Sequence, residues 1–384
     1  MINKNLFNIR FDLYFIIIKK IFLEMFNILN FIFISSFFYL INSQYSDKYE
    51  ELINWLLSNG AYISKKLSPN EINPSNRFIY ANKPILKNEQ LLIIPNNLII
   101  SCINPKVYEI CYSIYGKIDG DINYDCLLYF LSLDFNSKNS FFKPFYNYFP
   151  ILNYNDFPVY MTDEDLNKYN ITGVSKEIYF AKKYINDLYD MSSDIVPVEF
   201  EIYKKYFLYL STRNYYRKIN NYELYYMVPY ADLFSHSINN NAEYYFDEKN
   251  NQFILYAKRN IKKNEEITIL YGAYNNIELY VDYGFTIKDN IFKCNITIDF
   301  EGKLYYLNGK INKSDILNLI NKIKENTKKS NKEIVNELVK ILEDLISNYN
   351  KINNNNNQNM KNIMNEQIET MKEYIKNFKE LKLN

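Results

Sequence analysis

The sequence predicts a mainly β fold of small sheets with a large helical insertion and a helical C-terminal region, an α+β architecture. Short alternating apolar runs lie on both sides of residues 105–226, whereas apolar residues inside that segment recur at helical spacing. A lysine-rich helical pattern follows residue 311. At 384 residues, with 48% hydrophobic and 23% charged, the chain is long enough to bury a substantial core.

Residues 1–45 form a separate apolar N-terminal segment. After Lys19 and Lys20 the chain carries no charged side chain from Met25 to Ser46. A run of this length can span a bilayer as a helix, and a recessed signal sequence or a buried helix are the alternatives. We expect membrane or secretory-pathway association through residues 25–46, and a cytoplasmic location if that segment is not used.

Folded-domain signals begin in the next unit, residues 46–104. In "SDKYEELINWLLSNGA", Ser46 or Asp47 can cap a helix whose apolar stripe includes Leu52 and Leu56, and Gly60 stands where a left-handed residue ends it. The run "RFIYANKPILKNEQLLIIPNNLIIS" then predicts strands.

A helical insertion is predicted over residues 105–226, and strands return over residues 227–300. The segments "DCLLYFLSLDF", "KEIYFAKKYINDLYDM" and "PVEFEIYKKYFLYLSTRNYY" have helical spacing. The frame A-x-[KR]-x-I-x-K-N-E occurs at Ala81 and again at Ala257. Two similar hairpins on either side of the insertion indicate one interrupted β-domain, and a chance match is the alternative.

Residues 301–384 are predicted to form a helical C-terminal region. Its lysine-rich helical pattern is broken by the stretch Asn353 to Asn359, which we interpret as a flexible linker.

Composition excludes several classes of function. A net charge of +1 provides no general electrostatic field that would attract nucleic acid, so no nucleic-acid partner is expected. We also expect a monomer. The four cysteines show no C-x-x-C pair, so they predict reduced structural thiols and no metal site. The chain has one histidine, His236, and lacks the nucleophile-elbow, phosphate-loop and zinc-protease motifs.

The remaining candidate residues lie in "TRN" at Thr212, "DLFSHS" at Asp232 and "ILYGAYNNIELYVDYGF" at Ile269. Their order resembles that of the SET-domain methyltransferases, in the branch that includes Rubisco large-subunit lysine methyltransferase and actin-histidine methyltransferase. "VPYADLFSHS" is similar to the branch's D-x-x-N-H segment, and "ITILYGAYNNIELYVDYGF" to its strand, tyrosine, N-x-E-L helix and final [YS]-G-F. "INWLLSNGA" and "FFKPFYNYFP" also match, so the resemblance covers Tyr49 to Asn290.

This resemblance implies a SET fold with a pseudoknot and a protein N-methyltransferase that uses S-adenosylmethionine on a lysine or a histidine side chain of a protein substrate. It places the cofactor on one face and the substrate channel on the other, with Tyr271 as the catalytic residue. Methyl transfer is an in-line displacement that depends on positioning. The resemblance implies a cofactor site made of Arg77, Arg213, Asp232, Ser235, His236, Tyr283 and Phe285.

Two departures from the family pattern leave other functions open. Ser235 replaces the asparagine before the histidine, which exchanges an amide for a shorter hydroxyl. Asn76-Arg77-Phe78 replaces a G-x-G loop, which removes the conformational freedom of glycine. An inactive SET-like module that binds a peptide or protein is therefore the alternative, and a membrane-tethered helical interaction protein is a third reading. Without the resemblance, Arg213 would be interpreted as a helix-surface arginine.

Overall fold

The computed structural model describes residues 47–70, 77–116, 122–150, 152–169, 173–196, 198–219, 222–352 and 357–381. The apolar segment 25–46, and with it the predicted membrane association, lies outside the described residues. Within these ranges no helix has the length and apolar character needed to cross a membrane.

The elements follow the predicted order of helix, strands, helical segment, strands and helices. The first part contains α1 (residues 47–58), β1 (Tyr62–Ile63), β2 (Leu67–Asn70), β3 (Phe78–Ala81) and β4 (Gln90–Pro95). The helical segment contains α2 (Pro105–Tyr115), α3 (Ile122–Asp134), α4 (Lys143–Asn147), α5 (Asp163–Asn167), α6 (Gly173–Ser192) and α7 (Phe200–Arg213). It is followed by β5 (Asn214–Ile219), β6 (Tyr222–Met227), β7 (Ser235–His236), β8 (Ala242–Asp247), β9 (Gln252–Ala257) and β10 (Thr268–Ile269). The last part contains α8 (Asn276–Tyr283), β11 (Ile296–Phe300), β12 (Lys303–Leu307), α9 (Lys313–Lys324), α10 (Asn331–Ile352) and α11 (Gln358–Glu380).

Helix α1 has the predicted form. It includes Asp47, buries Leu52 and Leu56 completely, and is followed by Gly60 at φ 89°. Only glycine adopts this backbone conformation without strain, so the position of Gly60 in the sequence predicts where the helix ends.

The central sheet joins the two sides of the helical segment. Its strand order is β1-β4-β9-β8, with all neighbours antiparallel. Ile93 on β4 pairs with Ile254 on β9, so strands separated by the whole insertion lie side by side. The β-domain is therefore continuous in space although it is interrupted in sequence.

The repeated A-x-[KR]-x-I-x-K-N-E frame is structural. The N–H of Asn88 donates to the carbonyl of Ala257 over 2.8 Å, and the N–H of Asn264 donates to the carbonyl of Ala81 over 2.7 Å. Both asparagines are left-handed, at φ 67° and 65°. Each copy thus bonds to the start of the other copy in the same way, which a chance similarity of two sequences would not produce.

The helical segment ends earlier than predicted. Helix α7 ends at Arg213, and the antiparallel strands β5 and β6 follow it as the β5–β6 hairpin, in which Tyr215 pairs with Tyr226. Residues 214–219 and 222–226 are therefore strand and not helix. Tyr215 is buried and Tyr216 is exposed, so the period is two. A run of tyrosines conceals that alternation, because the same residue type occupies both faces.

The cysteines behave differently from the prediction. Cys111 on α2 and Cys126 on α3 form a disulfide, so the prediction of reduced thiols is wrong for this pair. Cys102 and Cys294 are free and buried, and the sulfur of Cys102 lies 3.0 Å from that of Cys126. The packing of α2 against α3 creates this cluster, and no spacing in the sequence indicated it.

The C-terminal region packs on α8 through a second apolar core. The carboxylate of Glu366 on α11 is 7% exposed and accepts hydrogen bonds from Asn276 Nδ2 over 2.7 Å and from the N–H of Cys294 over 2.8 Å. The predicted linker is partly wrong: residues 353–356 lie outside the described residues, but Asn357 caps α11 and Asn359 lies within it. Asn359 donates to the carbonyl of Gly284 over 3.1 Å. This tail therefore supports the end of α8.

Candidate active site

A crossing of two chain segments builds the centre of the site. Strand β7 lies parallel to β10, with Ser235 opposite Thr268 and His236 opposite Ile269. The side chain of Asn241, which is 1% exposed, donates to the carbonyl of Glu266 over 2.8 Å and accepts from the N–H of Thr268 over 2.9 Å. These bonds hold residues 235–241 against the strand that leads to Tyr271.

Two cavities have Tyr271 in their lining. The larger has a volume of about 440 Å³ and the smaller about 320 Å³. The residues that line both cavities are Thr212, Arg213, Asp232, Tyr271 and Tyr283. A ligand in one cavity can therefore meet a ligand in the other at this shared wall.

The structure brings all the candidate site residues together. They come from separate parts of the chain, namely the residue before β3, the end of α7, the loop before β7, β7 itself, the segment after β10 and the end of α8. All of them line one cavity. Those around the larger cavity are Arg77, Arg213, Asp232, Ser235, His236, Tyr271, Tyr283 and Phe285.

His236 positions the backbone of Tyr271. Its Nδ1 accepts a hydrogen bond from the N–H of Tyr271 over 3.1 Å, and the two rings lie 5.1 Å apart. Burial lowers the pKa of His236, so the neutral ring with a proton on Nε2 is favoured. That Nε2 is buried and has no hydrogen-bond partner within the described residues. The His236 side chain therefore contributes a hydrogen bond to the backbone of Tyr271 in addition to its packing contacts.

Arg213 and Asp232 form a buried ion pair at the wall shared by the cavities. Their side chains are 13% and 3% exposed, and Arg213 Nη1 bonds to the Asp232 carboxylate. Asp232 fixes the guanidinium in one orientation, as expected for a charge-assisted bond. The Nε of Arg213 is buried without a partner in the described part of the chain. Arg213 is thus buried beside the cavities and is not a helix-surface arginine.

Arg77 is a second cation beside the same cavity. Its Nη1 donates to the carbonyl of Tyr148, and its guanidinium lies 4.3 Å from the centre of the Tyr148 ring. Burial, followed by the charge of Arg213, lowers the pKa of Arg77 to about 10, so it stays protonated at neutral pH. Among the described residues its Nη2 has no partner. An anion in this cavity would therefore offset an unfavourable buried charge.

The end of α8 closes the larger cavity. Gly284 has φ 79°, and a Cβ there would lie 2.8 Å from the carbonyl oxygen of Asp156. This close approach brings the loop before α5 onto the aromatic pair Tyr283 and Phe285, whose rings lie 6.1 Å apart. The resulting wall is apolar and suits a flat ligand group.

Aromatic side chains form the smaller cavity. The hydroxyl of Tyr271 donates to the carbonyl of Phe234 over 2.8 Å, and burial raises the pKa of Tyr271 to about 12. The hydroxyl of buried Tyr215 donates to the carbonyl of Ala231 over 2.7 Å. Tyr216, Tyr244 and Tyr274 also line this cavity. Sequence reasoning missed these residues because nothing distinguishes them among 39 tyrosines.

The two cavities together suit transfer of a small group between ligands. Arg77, Arg213 and His236 line the larger cavity beside aromatic rings, and each carries one buried nitrogen atom without a partner within the described residues. It suits a ligand that combines an anionic group with a flat ring. The smaller cavity suits an extended side chain whose end reaches Tyr271.

Comparison with known proteins places this geometry in context. A family model described as "SET domain" matches residues 76–272, about half of the chain. The ribosomal lysine N-methyltransferase set11 of Schizosaccharomyces pombe is 24% identical over 245 residues, which cover 63% of this chain and 62% of that protein. Protein SET DOMAIN GROUP 40 of Arabidopsis thaliana is 42% identical over 45 residues, 12% of this chain and 9% of that protein. The matches therefore span less than two thirds of the length of these relatives.

Solved structures share the fold across most of the chain. The SET domain of LSMT bound to lysine and AdoHcy superposes with a TM-score of 0.67 at 15% identity, covering 87% of this chain and 91% of that one. Rubisco LSMT bound to AdoMet gives a TM-score of 0.65 at 16% identity, covering 86% and 91%. At these identities the likeness establishes the fold.

Proposed function

The chain belongs to the SET-domain family, and from this premise we propose that it is an S-adenosylmethionine-dependent protein lysine methyltransferase. The observation that carries the proposal is the pair of cavities that meet at Tyr271. Solved relatives of the same fold are bound to AdoMet, AdoHcy and lysine, which supports a cofactor in one cavity and a lysine in the other.

The larger cavity fits the cofactor. S-adenosylmethionine supplies a methyl group activated by a sulfonium charge, together with an amino-acid carboxylate and a flat adenine. The guanidinium groups of Arg77 and Arg213, which line this cavity, would hold the carboxylate, because guanidinium forks match carboxylate geometry. Tyr283 and Phe285 would pack against the flat ring. Ser235 lines the same cavity with a hydroxyl where the family has an amide.

The smaller cavity fits the substrate. Its tyrosines exclude water around an inserted side chain, and removal of water favours the neutral amine that methyl transfer requires. Tyr271 keeps its proton because its pKa is raised to about 12, so its hydroxyl acts as a fixed dipole at the shared wall. His236 and Phe234 hold the backbone and the hydroxyl of Tyr271 in place. A long unbranched lysine suits such a channel better than the shorter imidazole of histidine.

Cofactor binding and methyl transfer test the proposal separately. Titration calorimetry with S-adenosylmethionine up to millimolar concentration measures binding, and transfer of a labelled methyl group to lysine-containing and histidine-containing peptide libraries measures activity. Tyr271→Phe is expected to bind the cofactor normally and to lose most turnover. Tyr306→Phe, a change at an exposed strand position, is the matched control and is expected to keep both properties.

An inactive binding module gives a different result. It would capture peptides equally with or without cofactor, and Tyr271→Phe would not change that capture. If the unmodified protein shows no cofactor binding in calorimetry, the enzymatic proposal is wrong.

We also propose, from the sequence alone, that residues 25–46 attach the protein to membranes. A reporter protein fused after residues 1–46 should float with lipid vesicles in a density gradient. Recovery of the fusion in the soluble fraction would contradict this.

A further inference from the structure

A third cavity, of about 570 Å³, adjoins the smaller cavity of the site. We call it the aromatic groove; it lies between α6, α7 and α8 and the β5–β6 hairpin. The residues that it shares with the smaller cavity are Asn214, Tyr216, Tyr274 and Tyr283. A peptide whose lysine enters the smaller cavity would therefore lie with its neighbouring residues beside the groove.

One wall of the groove is a run of aromatic rings. Tyr184 contacts Phe207 at 6.2 Å between ring centres, Phe207 contacts Tyr124 at 5.7 Å, and Tyr124 contacts Tyr225 at 5.0 Å. Tyr184 remains 48% exposed although it has these neighbours. Exposed aromatic faces along a concave surface attract cations as well as apolar groups.

The groove also carries negative charge without a basic side chain in its described lining. Asp282 on α8 and Glu177 on α6 both line it. Asp282 is exposed to solvent, but the surrounding protein partly desolvates its carboxyl, and this desolvation, followed by the charges of Glu278 and Glu177, raises the pKa of Asp282 to about 6. No cation contributes to that shift. A basic group outside the lining is Lys176, whose Nζ lies 5.6 Å from the centre of the ring of Phe180, a lining residue.

We infer that the aromatic groove binds a second cationic side chain, a lysine or an arginine that lies close in sequence to the target lysine. Asp282 and Glu177 supply the opposite charge, and the aromatic wall supplies faces for the cation and its apolar stem. The inference rests on the proposed function, since it assigns a substrate class to the same site. It makes Asp282 a residue that sets substrate specificity and takes no part in methyl transfer.

Binding of defined peptides tests this assignment. The probes are short fluorescent peptides with one central lysine in an alanine background, carrying arginine, leucine or glutamate at one position within three residues of that lysine. Binding is measured by fluorescence anisotropy with saturating S-adenosylhomocysteine. We expect at least one arginine position to tighten binding by about tenfold over alanine, as an ion pair combined with a cation–π contact allows.

Three variants connect that preference to the groove. Asp282→Asn should reduce the arginine preference to about twofold, and Glu177→Gln should reduce it partly, because one carboxylate remains. Asp344→Asn, on the exposed face of α10 and outside the groove, makes the same change of charge and should leave the preference intact. Asp282→Lys should transfer the preference from arginine to glutamate.

Each other outcome contradicts the inference. Equal binding of arginine and alanine peptides, a preference for leucine, or an arginine preference that survives Asp282→Asn would show that the groove is not a cation site. Failure of every lysine peptide to bind would also overturn it. Calorimetry with the cofactor alone keeps the two proposals apart, because an absent groove preference leaves cofactor binding unaffected.

Discussion

Replacement of Arg77 by methionine is expected to stabilise the ligand-free protein and to weaken cofactor binding. Burial and the charge of Arg213 lower the pKa of Arg77 from 12.5 to about 10, so the folded state holds this cation unfavourably. At about 1.4 kcal/mol per pKa unit, the charge costs about 3 kcal/mol. A methionine fills similar space without the charge.

Two favourable contacts are lost in the same variant. The hydrogen bond to the Tyr148 carbonyl and the contact with the Tyr148 ring contribute about 1 kcal/mol each. The net gain is therefore about 1 kcal/mol, which corresponds to a rise in melting temperature of about 1–3 °C for a protein of this size. Loss of a charge-assisted contact to the cofactor carboxylate should raise the dissociation constant by about 10- to 100-fold.

Thermal unfolding with and without S-adenosylhomocysteine measures both effects. Arg217→Met is the matched control, because Arg217 also lies near an aromatic ring, Phe246, but pairs with Glu248 away from the cavities. It should lose a little stability and keep its affinity. A lower melting temperature for ligand-free Arg77→Met together with unchanged cofactor affinity would refute the reasoning.

Three further changes test the supports of the site. Gly284→Ala should destabilise the protein by about 1–3 kcal/mol and weaken cofactor binding, because the φ of Gly284 is 79° and an added Cβ would meet the Asp156 carbonyl. Denaturant unfolding measures the loss of stability. Gly173→Ala is the control and should be neutral, because there is open space around Gly173. Glu366→Ala should lower the free energy of unfolding by about 2–4 kcal/mol, because the side chain of Asn276 and the N–H of Cys294 would each lose a buried acceptor. A melting temperature equal to that of Glu369→Gln, a change at an exposed site, would contradict this. Burial lowers the pKa of His236 from an unfolded value near 6.5, so the stability of the protein should fall as the pH drops below about 6.5. His236→Phe should flatten that part of the curve of stability against pH, and it should reduce turnover because the hydrogen bond to the N–H of Tyr271 is lost.

Local signals in the sequence were sufficient for the elements that depend on near neighbours. The stripe of Leu52 and Leu56 with Gly60 after it predicts α1, and the repeated frame at Ala81 and Ala257 predicts two equivalent units. The motif order around Tyr271 indicated the family, because a tyrosine, a capped helix and a glycine follow one another along the chain as in the family pattern.

Contacts between distant segments could not be predicted in this way. The disulfide between Cys111 and Cys126 depends on the packing of two helices, and the hairpin that follows Arg213 depends on which tyrosines find a buried face. Asn359 looked like part of a flexible run because its partner, the Gly284 carbonyl, lies 75 positions away.

The sequence by itself determined the family and most of the order of the elements, and it indicated the candidate residues that line the larger cavity. Only the tertiary structure decided that Arg213 is paired with Asp232 while Arg77 remains without a carboxylate partner among the described residues, and that Asp282 lines a groove beside the smaller cavity. The physical reason is that charge and burial depend on neighbours in space, and folding brings those neighbours from opposite ends of the helical insertion.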